Sequence, residues 1–218
     1  MTPEEIQFIS FDLDGTLVEL DFSEWVWGSG IPELFAKKNG MSLDTAKKIV
    51  EEEYLKVGDG SLQWYDITYW FDFFQLDGHW KALLNRFSDR IRAYPESSRV
   101  LQDLSSNYEL IIISNAAREF IDIEVDVAEL RRYFSRIFSA TSDFGQVKKT
   151  AEFYGHICQL LGISPTEMVH VGDHWQFDYL APKEVGIRTF HVDRSWVRNG
   201  EDIIRNLEEV GRKLRLRV

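Results

Sequence analysis

Asp12 and Asp14 place two carboxylates one residue apart, directly after the apolar run of residues 6–11 and just before Gly15. Carboxylates this close repel each other and need a cation beside them. Mg²⁺ is a hard ion that prefers oxygen ligands, and proteins typically hold it with one or two carboxylates together with substrate phosphate. The pair therefore predicts a magnesium site that handles phosphate.

The elements around this pair are expected to hold it at the edge of a sheet. Residues 6–11 have the length and composition of a buried strand, and Gly15 lets the chain turn sharply after it. In an open parallel sheet, ligands bind at the carboxyl ends of the strands. Both carboxylates are therefore predicted at a ligand-binding edge.

The chain after Tyr94 and Pro95 alternates between strand and helix patterns. Strands are predicted at 110–113, 137–139, 168–171 and 187–191, helices at 98–105, 121–134, 150–161, 179–185 and 202–213, and a turn at 141–145. Strands that alternate with helices in this way are typical of a parallel, doubly wound sheet. The predicted fold class is therefore α/β, with a Rossmann-like parallel sheet as its core.

Between the first strand and this α/β region, residues 31–92 show helical patterns only. Ser42 suits a helix N-cap, and the apolar residues that follow it up to Gly58 share one helix face. Helices are predicted at 42–57, 61–76 and 79–89, and a break in regular structure at 28–30. We predict an all-α domain, residues 18–92, inserted into a discontinuous core domain of residues 1–17 and 93–218.

Further polar residues follow the later predicted strands. They are Ser114 with Asn115, Asp173 with Asp178, and Lys148 or its neighbour Lys149 before the helix at 150–161. Each has an ordinary structural explanation when it is taken singly. An aspartate at a strand end is usually a turn former or a helix cap, serine commonly caps a helix, and a lysine can be a solvated charge. The argument for a site depends on all of them together.

This set and its order resemble the haloacid dehalogenase superfamily of phosphohydrolases. The residues that carry the resemblance are Asp12-Leu13-Asp14-Gly15-Thr16-Leu17, Ser114-Asn115, Lys148, and the segment from Gly172-Asp173 to Asp178. The helical insert also lies where that family has its cap of the first type. Lys148 is preferred because its distance from the following helix fits the family. The family usually has a proline directly after this lysine, where this chain has Lys149, so Lys149 remains the alternative.

The resemblance implies catalytic roles for three aspartates. Asp12 would attack phosphorus and form an aspartyl-phosphate, which divides one difficult hydrolysis into two easier steps. Asp14 would donate a proton to the leaving oxygen and later accept one from water. Mg²⁺ would be held by Asp12, Asp173 and the backbone carbonyl of Asp14.

The resemblance also implies roles in binding the phosphoryl group. Ser114, Asn115 and Lys148 would bind its oxygens, and Lys148 would offset the charge that they carry during transfer. Asp178 would orient Lys148 or a metal-bound water. We therefore predict a Mg²⁺-dependent phosphatase that acts on a small phosphorylated metabolite.

Three other functions were weighed against this prediction. Dehalogenation is disfavoured because a halide leaving group needs no proton, whereas Asp14 is present. A phosphomutase and a non-catalytic phospho-ligand binding protein remain alternatives. In the cap, the aromatic block of residues 64–74 is predicted to be mainly core. Trp25 and Trp27 are candidates for contact with the substrate, and Arg86, Arg90 and Arg92 are candidate cations over the site.

Composition limits the partners. The chain has 218 residues with a formal net charge of −11, which argues against nucleic acid because phosphate-backbone binding needs clustered lysine and arginine. No apolar run approaches the ~20 residues of a membrane span, and the polar residues 2–5 do not suggest a leader. The single cysteine, Cys158, is expected to be buried filler in a reducing compartment. A cytoplasmic location is expected, and the oligomeric state is left open.

Overall fold

The computed structural model describes residues 6–215, so the prediction made for residues 2–5 lies outside the described part. Within it, one parallel sheet has the strand order β3-β2-β1-β4-β5-β6. The strands are β1 (Phe8–Phe11), β2 (Glu109–Ser114), β3 (Arg136–Ser139), β4 (Met168–Gly172), β5 (Arg188–Val192) and β6 (Ile203–Ile204). The predicted doubly wound α/β core is confirmed.

The register of the sheet explains how distant parts of the sequence meet at one edge. β1 lies between β2 and β4, with Phe11 opposite Ile112 on one side and Val171 on the other. All four residues of β1 are buried, as an interior strand of a parallel sheet requires. The segments that follow β1, β2 and β4 therefore leave the sheet side by side.

Most predicted helices agree with the structure to within a few residues. The observed helices of the insert are α1 (Asp21–Trp25), α2 (Ile31–Asn39), α3 (Leu43–Val57), α4 (Leu62–Tyr65), α5 (Ile67–Phe73) and α6 (Trp80–Arg86). Those after it are α7 (Ser97–Ser105), α8 (Arg118–Val127), α9 (Ala140–Phe144), α10 (Ala151–Leu161), α11 (Ala181–Glu184) and α12 (Glu208–Arg215). The Ser42 cap is confirmed, because its Oγ accepts a hydrogen bond from the Thr45 amide at 3.2 Å.

The predicted break at residues 28–30 was wrong. A π-helical turn covers Val26–Gly30 and joins α1 directly to α2. Phe22 and Val26 on this segment are fully buried in the apolar cluster of the insert. Their burial outweighs the low helix propensity of glycine, which amounts to about 1 kcal/mol per residue.

Local caps and pairing account for three further differences. The helix predicted over 61–76 is two helices, because the Asp66 carboxylate accepts hydrogen bonds from the Thr68 and Tyr69 amides and starts α5. The turn predicted at 141–145 is α9, capped by Ser139. The helix predicted from residue 202 begins only at Glu208, because residues 203–204 pair with β5 as β6.

The insert has an apolar cluster of its own, which includes Phe22, Ile67, Trp70 and Leu83 and reaches the core at Phe120. The chain enters and leaves the insert along paired backbone: the Glu19 amide donates to the Arg92 carbonyl at 2.9 Å, and the Tyr94 amide donates to the Leu17 carbonyl at 3.0 Å. The division into a core of 1–17 and 93–218 and a cap of 18–92 stays a prediction, and this pairing lies at its predicted boundaries.

Across residues 6–215, none of the helices has both the length and the apolar character that crossing a bilayer would demand.

Candidate active site

The centre of the candidate site is an ion pair between Asp12 and Lys149. Lys149 Nζ lies 2.5 Å from Asp12 Oδ1, 2.5 Å from Asp178 Oδ1 and 3.1 Å from the Ile113 carbonyl oxygen. The lysine is 1% exposed, so this is a buried charge cluster. Burial alone would lower the pKa of Lys149, but Asp12 and Asp178 raise it above its usual value, and the ammonium stays charged.

The structure corrects the lysine prediction by one position. Lys148 lies away from the carboxylates, with its side chain 39% exposed and its Nζ 3.7 Å from Asp59 in the insert. Thr150 caps α10, and Lys149 directly before it turns into the core whereas Lys148 turns outward. Adjacent lysines carry the same charge and lie at nearly the same distance from the predicted helix. Only the backbone path of residues 145–150 therefore decides which of the two contacts Asp12.

Asp178 is held in place from several sides. Its Oδ2 accepts a hydrogen bond from the His174 amide at 3.0 Å, and its Oδ1 lies 3.1 Å from Nε2 of His170. A Cβ on Gly172 would come within 2.4 Å of the Asp178 Cβ, so this approach requires glycine. Burial would raise the pKa of Asp178, but Lys149 and His170 hold it well below its usual range. Asp178 therefore carries a carboxylate in contact with Lys149. That it orients the site lysine or a metal-bound water, as the resemblance implies, stays a prediction.

His170, on β4, belongs to the core. The ring is fully buried, with Nδ1 2.8 Å from the Ser10 hydroxyl and Nε2 3.0 Å from the Tyr154 hydroxyl. Burial lowers its pKa, so the imidazole is neutral at pH 7. Tyr154 and Ser10 were not singled out from the sequence. Ser10 contacts His170, whereas the Tyr154 hydroxyl contacts both His170 and, at 3.4 Å, Asp178 Oδ1.

Asp14 faces a second acidic side chain that the sequence analysis missed. Glu124 on α8 is fully buried, and its carboxyl group lies beside that of Asp14. Burial and the nearby Asp14 raise the pKa of Glu124 well above its usual value, which favours its protonated form. Burial also raises the pKa of Asp14, to about 6. The sequence did contain a sign of this buried acid, because Glu124 lies between Ile121 and Val125 on the apolar face of the helix.

Replacing Glu124 by glutamine is expected to raise the free energy of unfolding at pH 8 and to change it little at pH 4. The unfolded chain loses this proton near the ordinary pKa of 4.5, whereas the folded protein keeps it. Stability conferred by wild-type Glu124 therefore falls as the pH rises above 4.5, and neutral glutamine removes that loss. Urea unfolding with EDTA present, at both pH values, measures the difference.

Glu51→Gln is the matched control, because Glu51 is exposed on α3, and its effect should be small at both pH values. A Glu124→Gln effect of equal size at pH 4 and pH 8 would contradict the buried, protonated carboxyl.

Asp173 completes a cluster of oxygen ligands. One carboxylate oxygen from each of Asp12, Asp173 and Asp178 lies within 4.8 Å of the others. Gly15 has φ +75°, and a Cβ there would lie 2.3 Å from Asp173 Oδ2, so glycine makes room for this carboxylate. Burial first, and then the Asp178 charge, raise the pKa of Asp173 to about 6. Lys149 alone does not balance these acids, and the all-oxygen set fits a hard divalent cation.

Ser114 and Asn115 lie beside these carboxylates, as predicted. Ser114 is buried and accepts a hydrogen bond from the Ala116 amide at 3.0 Å. Asn115 lines the same cavity, and its side-chain oxygen has no hydrogen-bond partner among the described residues. Only the amide nitrogen of Asn115 can donate a hydrogen bond to a phosphoryl oxygen, because the side-chain oxygen is an acceptor.

The carboxylates, Lys149, Ser114 and Asn115 open into one cavity of about 460 Å³. Its walls within the insert include Trp27, Trp64 and Tyr65, which the sequence analysis had left open or assigned mainly to core. Trp25 does not line the cavity. The Arg90 guanidinium lies over the Trp25 ring, 3.7 Å from the ring centroid.

The three cations predicted over the site are not found there. Arg86 pairs with Glu33 and Arg90 with Asp21, and these two residues and Arg92 are absent from the cavity lining of the described chain. The pairing partners lie in α1 and α2, so the insert's own acids hold two of these arginines away from the cavity.

The sequence matches the family model of the haloacid dehalogenase-like hydrolases over residues 6–186. It is similar to GMP/IMP nucleotidase YrfG of Escherichia coli (strain K12), with 23% identity over 171 residues, which cover 78% of this chain and 75% of the relative. It is also similar to phosphoglycolate phosphatase of Vibrio vulnificus (strain CMCP6), with 26% identity over 93% of this chain and 90% of that enzyme.

The fold is similar to the crystal structure of a HAD phosphatase from Thermococcus onnurineus. The TM-score is 0.83 and the identity 25%, with 96% of this chain and 98% of that chain covered. The family match includes the segments of Asp12, Lys149 and Asp178, so it spans the whole candidate site.

Proposed function

Since the chain belongs to the haloacid dehalogenase-like hydrolases, we propose that it is a magnesium-dependent phosphatase that hydrolyses a small phosphorylated metabolite through an aspartyl-phosphate. The observation that carries the proposal is the geometry around Asp12. Its carboxylate lies 2.5 Å from a buried lysine and opens into the same cavity as Asp14, Ser114 and Asp173. The named relatives, a nucleotidase and a phosphoglycolate phosphatase, act on small phosphorylated compounds and support the substrate class.

In the first step, an Asp12 oxygen attacks phosphorus, and the bond to the leaving oxygen breaks. Asp14 donates the proton that this oxygen needs, and its raised pKa of about 6 keeps a useful protonated fraction near neutral pH. In the second step, water attacks the phosphorus, the bond between phosphorus and the Asp12 oxygen breaks, and inorganic phosphate leaves. Asp14 accepts a proton from the water, which restores both carboxyl groups. Proton transfer by a positioned acid or base contributes roughly 10²–10⁴-fold.

Lys149, held by Asp178, offsets negative charge beside the attacking oxygen of Asp12. The Ser114 hydroxyl and the Asn115 side chain would bind phosphoryl oxygens. Asp12, Asp173 and the main-chain carbonyl of Asp14 would hold Mg²⁺, and the bound ion would supply the positive charge that lets a phosphoryl dianion enter this acidic cavity. The all-oxygen ligand set supports magnesium.

EDTA is expected to abolish phosphate release from p-nitrophenyl phosphate, and added Mg²⁺ is expected to restore it. Without a divalent ion, the excess of buried carboxylates repels the substrate phosphate. The measurement is the rate of phosphate release before chelation, after chelation and after dialysis against MgCl₂. Full activity in EDTA would overturn the metal requirement, and the absence of phosphate release under every condition would overturn the phosphatase.

Phosphate release also separates the proposal from its alternatives. A phosphomutase would return the phosphoryl group to an organic product, and a binding protein would release none. Asp14 in the cavity favours phosphate esters over halides, since a halide leaves without a proton. The single cysteine, Cys158, is buried and free, which agrees with the reducing, cytoplasmic setting that we propose for the enzyme.

A further inference from the structure

The cavity has two chemically different walls. The core wall carries the aspartates, Lys149, Ser114 and Asn115, whereas the opposite wall carries mainly apolar and aromatic side chains. The members of this wall that matter here are Leu20, Trp27, Tyr54, Trp64, Tyr65 and Phe120, which we call the aromatic wall. Substrate bound with its phosphate at Asp12 must direct its leaving group toward this wall.

The rings of the aromatic wall differ from the aromatic core of the insert. Trp70 is fully buried, and Phe71 and Phe74 are each 6% exposed, so these rings fill the interior. Trp27 and Trp64 are only partly buried and border the cavity. Partly exposed aromatic rings that line a cavity are typical of ligand-binding sites.

Packing behind the wall holds its rings in place. Trp27 stacks on Phe120 of α8, with ring centroids 5.2 Å apart and planes 15° from parallel. Tyr54 packs edge-on against Trp27 and donates a hydrogen bond to the Trp27 carbonyl at 3.4 Å. Trp64 in turn packs on Tyr54 at 6.1 Å. Rings fixed in this way lose little freedom when a flat group stacks on them.

The charges around the cavity disfavour a leaving group that carries a second negative charge. Among the described residues, those of the insert that line the cavity are Leu20, Ser23, Trp27, Tyr54, Trp64 and Tyr65, and none of them is a lysine, an arginine or a carboxylate. Lys148, the cation in the neighbouring loop, does not line the cavity and lies 3.7 Å from Asp59. A second anionic group on the substrate would therefore lose its hydration without gaining a partner.

From these observations, which rest on the proposed phosphatase function, we infer that the preferred substrate is a phosphate monoester whose leaving group carries a flat aromatic ring and no second negative charge, as in a nucleoside 5′-monophosphate. The ring stacks in the aromatic wall while the phosphate occupies the Asp12 site. The cavity of about 460 Å³ is large enough for a ligand of this size.

Guanosine 5′-monophosphate and ribose 5-phosphate form the matched test pair, because both lose a primary 5′-alkoxide and only the nucleotide carries an aromatic base. The kcat/KM ratio of the first to the second is expected to be roughly five- to 150-fold, the range for stacking of one base on aromatic side chains. Trp64→Ala and Trp27→Ala are expected to reduce this ratio toward one. Trp25→Ala is the control, because Trp25 is partly exposed but lies outside the cavity, and it should keep the wild-type ratio.

A wild-type ratio near one would overturn the inference while leaving the phosphatase intact, and so would an unchanged ratio in both cavity variants. Higher kcat/KM for 2-phosphoglycolate, which has a carboxylate, or for phosphocholine, which has a cation, would also overturn it. If no substrate released phosphate, the proposed function would fail on its own. Calorimetric titration of the Asp12→Asn variant with each member of the matched pair would then test the aromatic wall by itself. We expect the nucleotide to bind more tightly than ribose 5-phosphate, and equal affinities would contradict the inference.

Discussion

Asp12→Asn is expected to lower kcat for p-nitrophenyl phosphate by at least about 10⁴-fold, because an amide oxygen does not replace the carboxylate as a nucleophile and losses of this size follow removal of a nucleophile. The fold should survive. Asparagine keeps the volume of the side chain, and Lys149 retains Asp178 and the Ile113 carbonyl as partners. Phosphate release measures the effect, and circular dichroism checks the fold.

Asp103→Asn is the matched control, since Asp103 is exposed on α7 and far in the sequence from every candidate site residue. Its activity should equal that of the wild type. A folded Asp12→Asn enzyme with more than a tenth of wild-type turnover would rule out the aspartyl-phosphate route.

Lys149→Met is expected to cost roughly 10²–10³-fold in kcat, the effect of losing one preorganised charge at a reacting oxygen. It should also lower the free energy of unfolding in EDTA by about 3–5 kcal/mol, because removing one partner of a buried ion pair leaves charge without compensation. The Asp12 and Asp178 carboxylates both lose their closest cation in this variant. Urea unfolding and phosphate release on the same protein measure the two effects.

Lys148→Met provides the comparison. Lys148 has a partly exposed side chain and pairs with exposed Asp59 at 3.7 Å, and an ion pair of this kind is worth about 0–1 kcal/mol. Its loss should change kcat/KM by less than about fivefold. The opposite result, an inactive Lys148 variant beside an active Lys149 variant, would refute the assignment of the site lysine.

The sequence alone was sufficient for strands β1–β5 and for the residues directly attached to their ends, whereas β6 was not predicted. Asp12, Ser114 and Asp173 each follow an apolar run, and the order of elements requires a parallel sheet, so their convergence at one edge follows from topology. Helix α3 was predicted with both ends correct because Ser42 and Gly58 are strong local signals. Such features depend on residues close together in the chain.

Tertiary structure decided everything that depends on packing between distant segments. Lys149 rather than Lys148 reaches Asp12 because of the path that the loop takes before α10. Glu124 on α8 meets Asp14, which lies far from it in the chain. Trp27 and Trp64 of the insert border the same cavity as the aspartates of the core. The strand pattern could identify the acidic side of the site, whereas the wall opposite it, where the leaving group must lie, is formed by contacts that no local pattern contains.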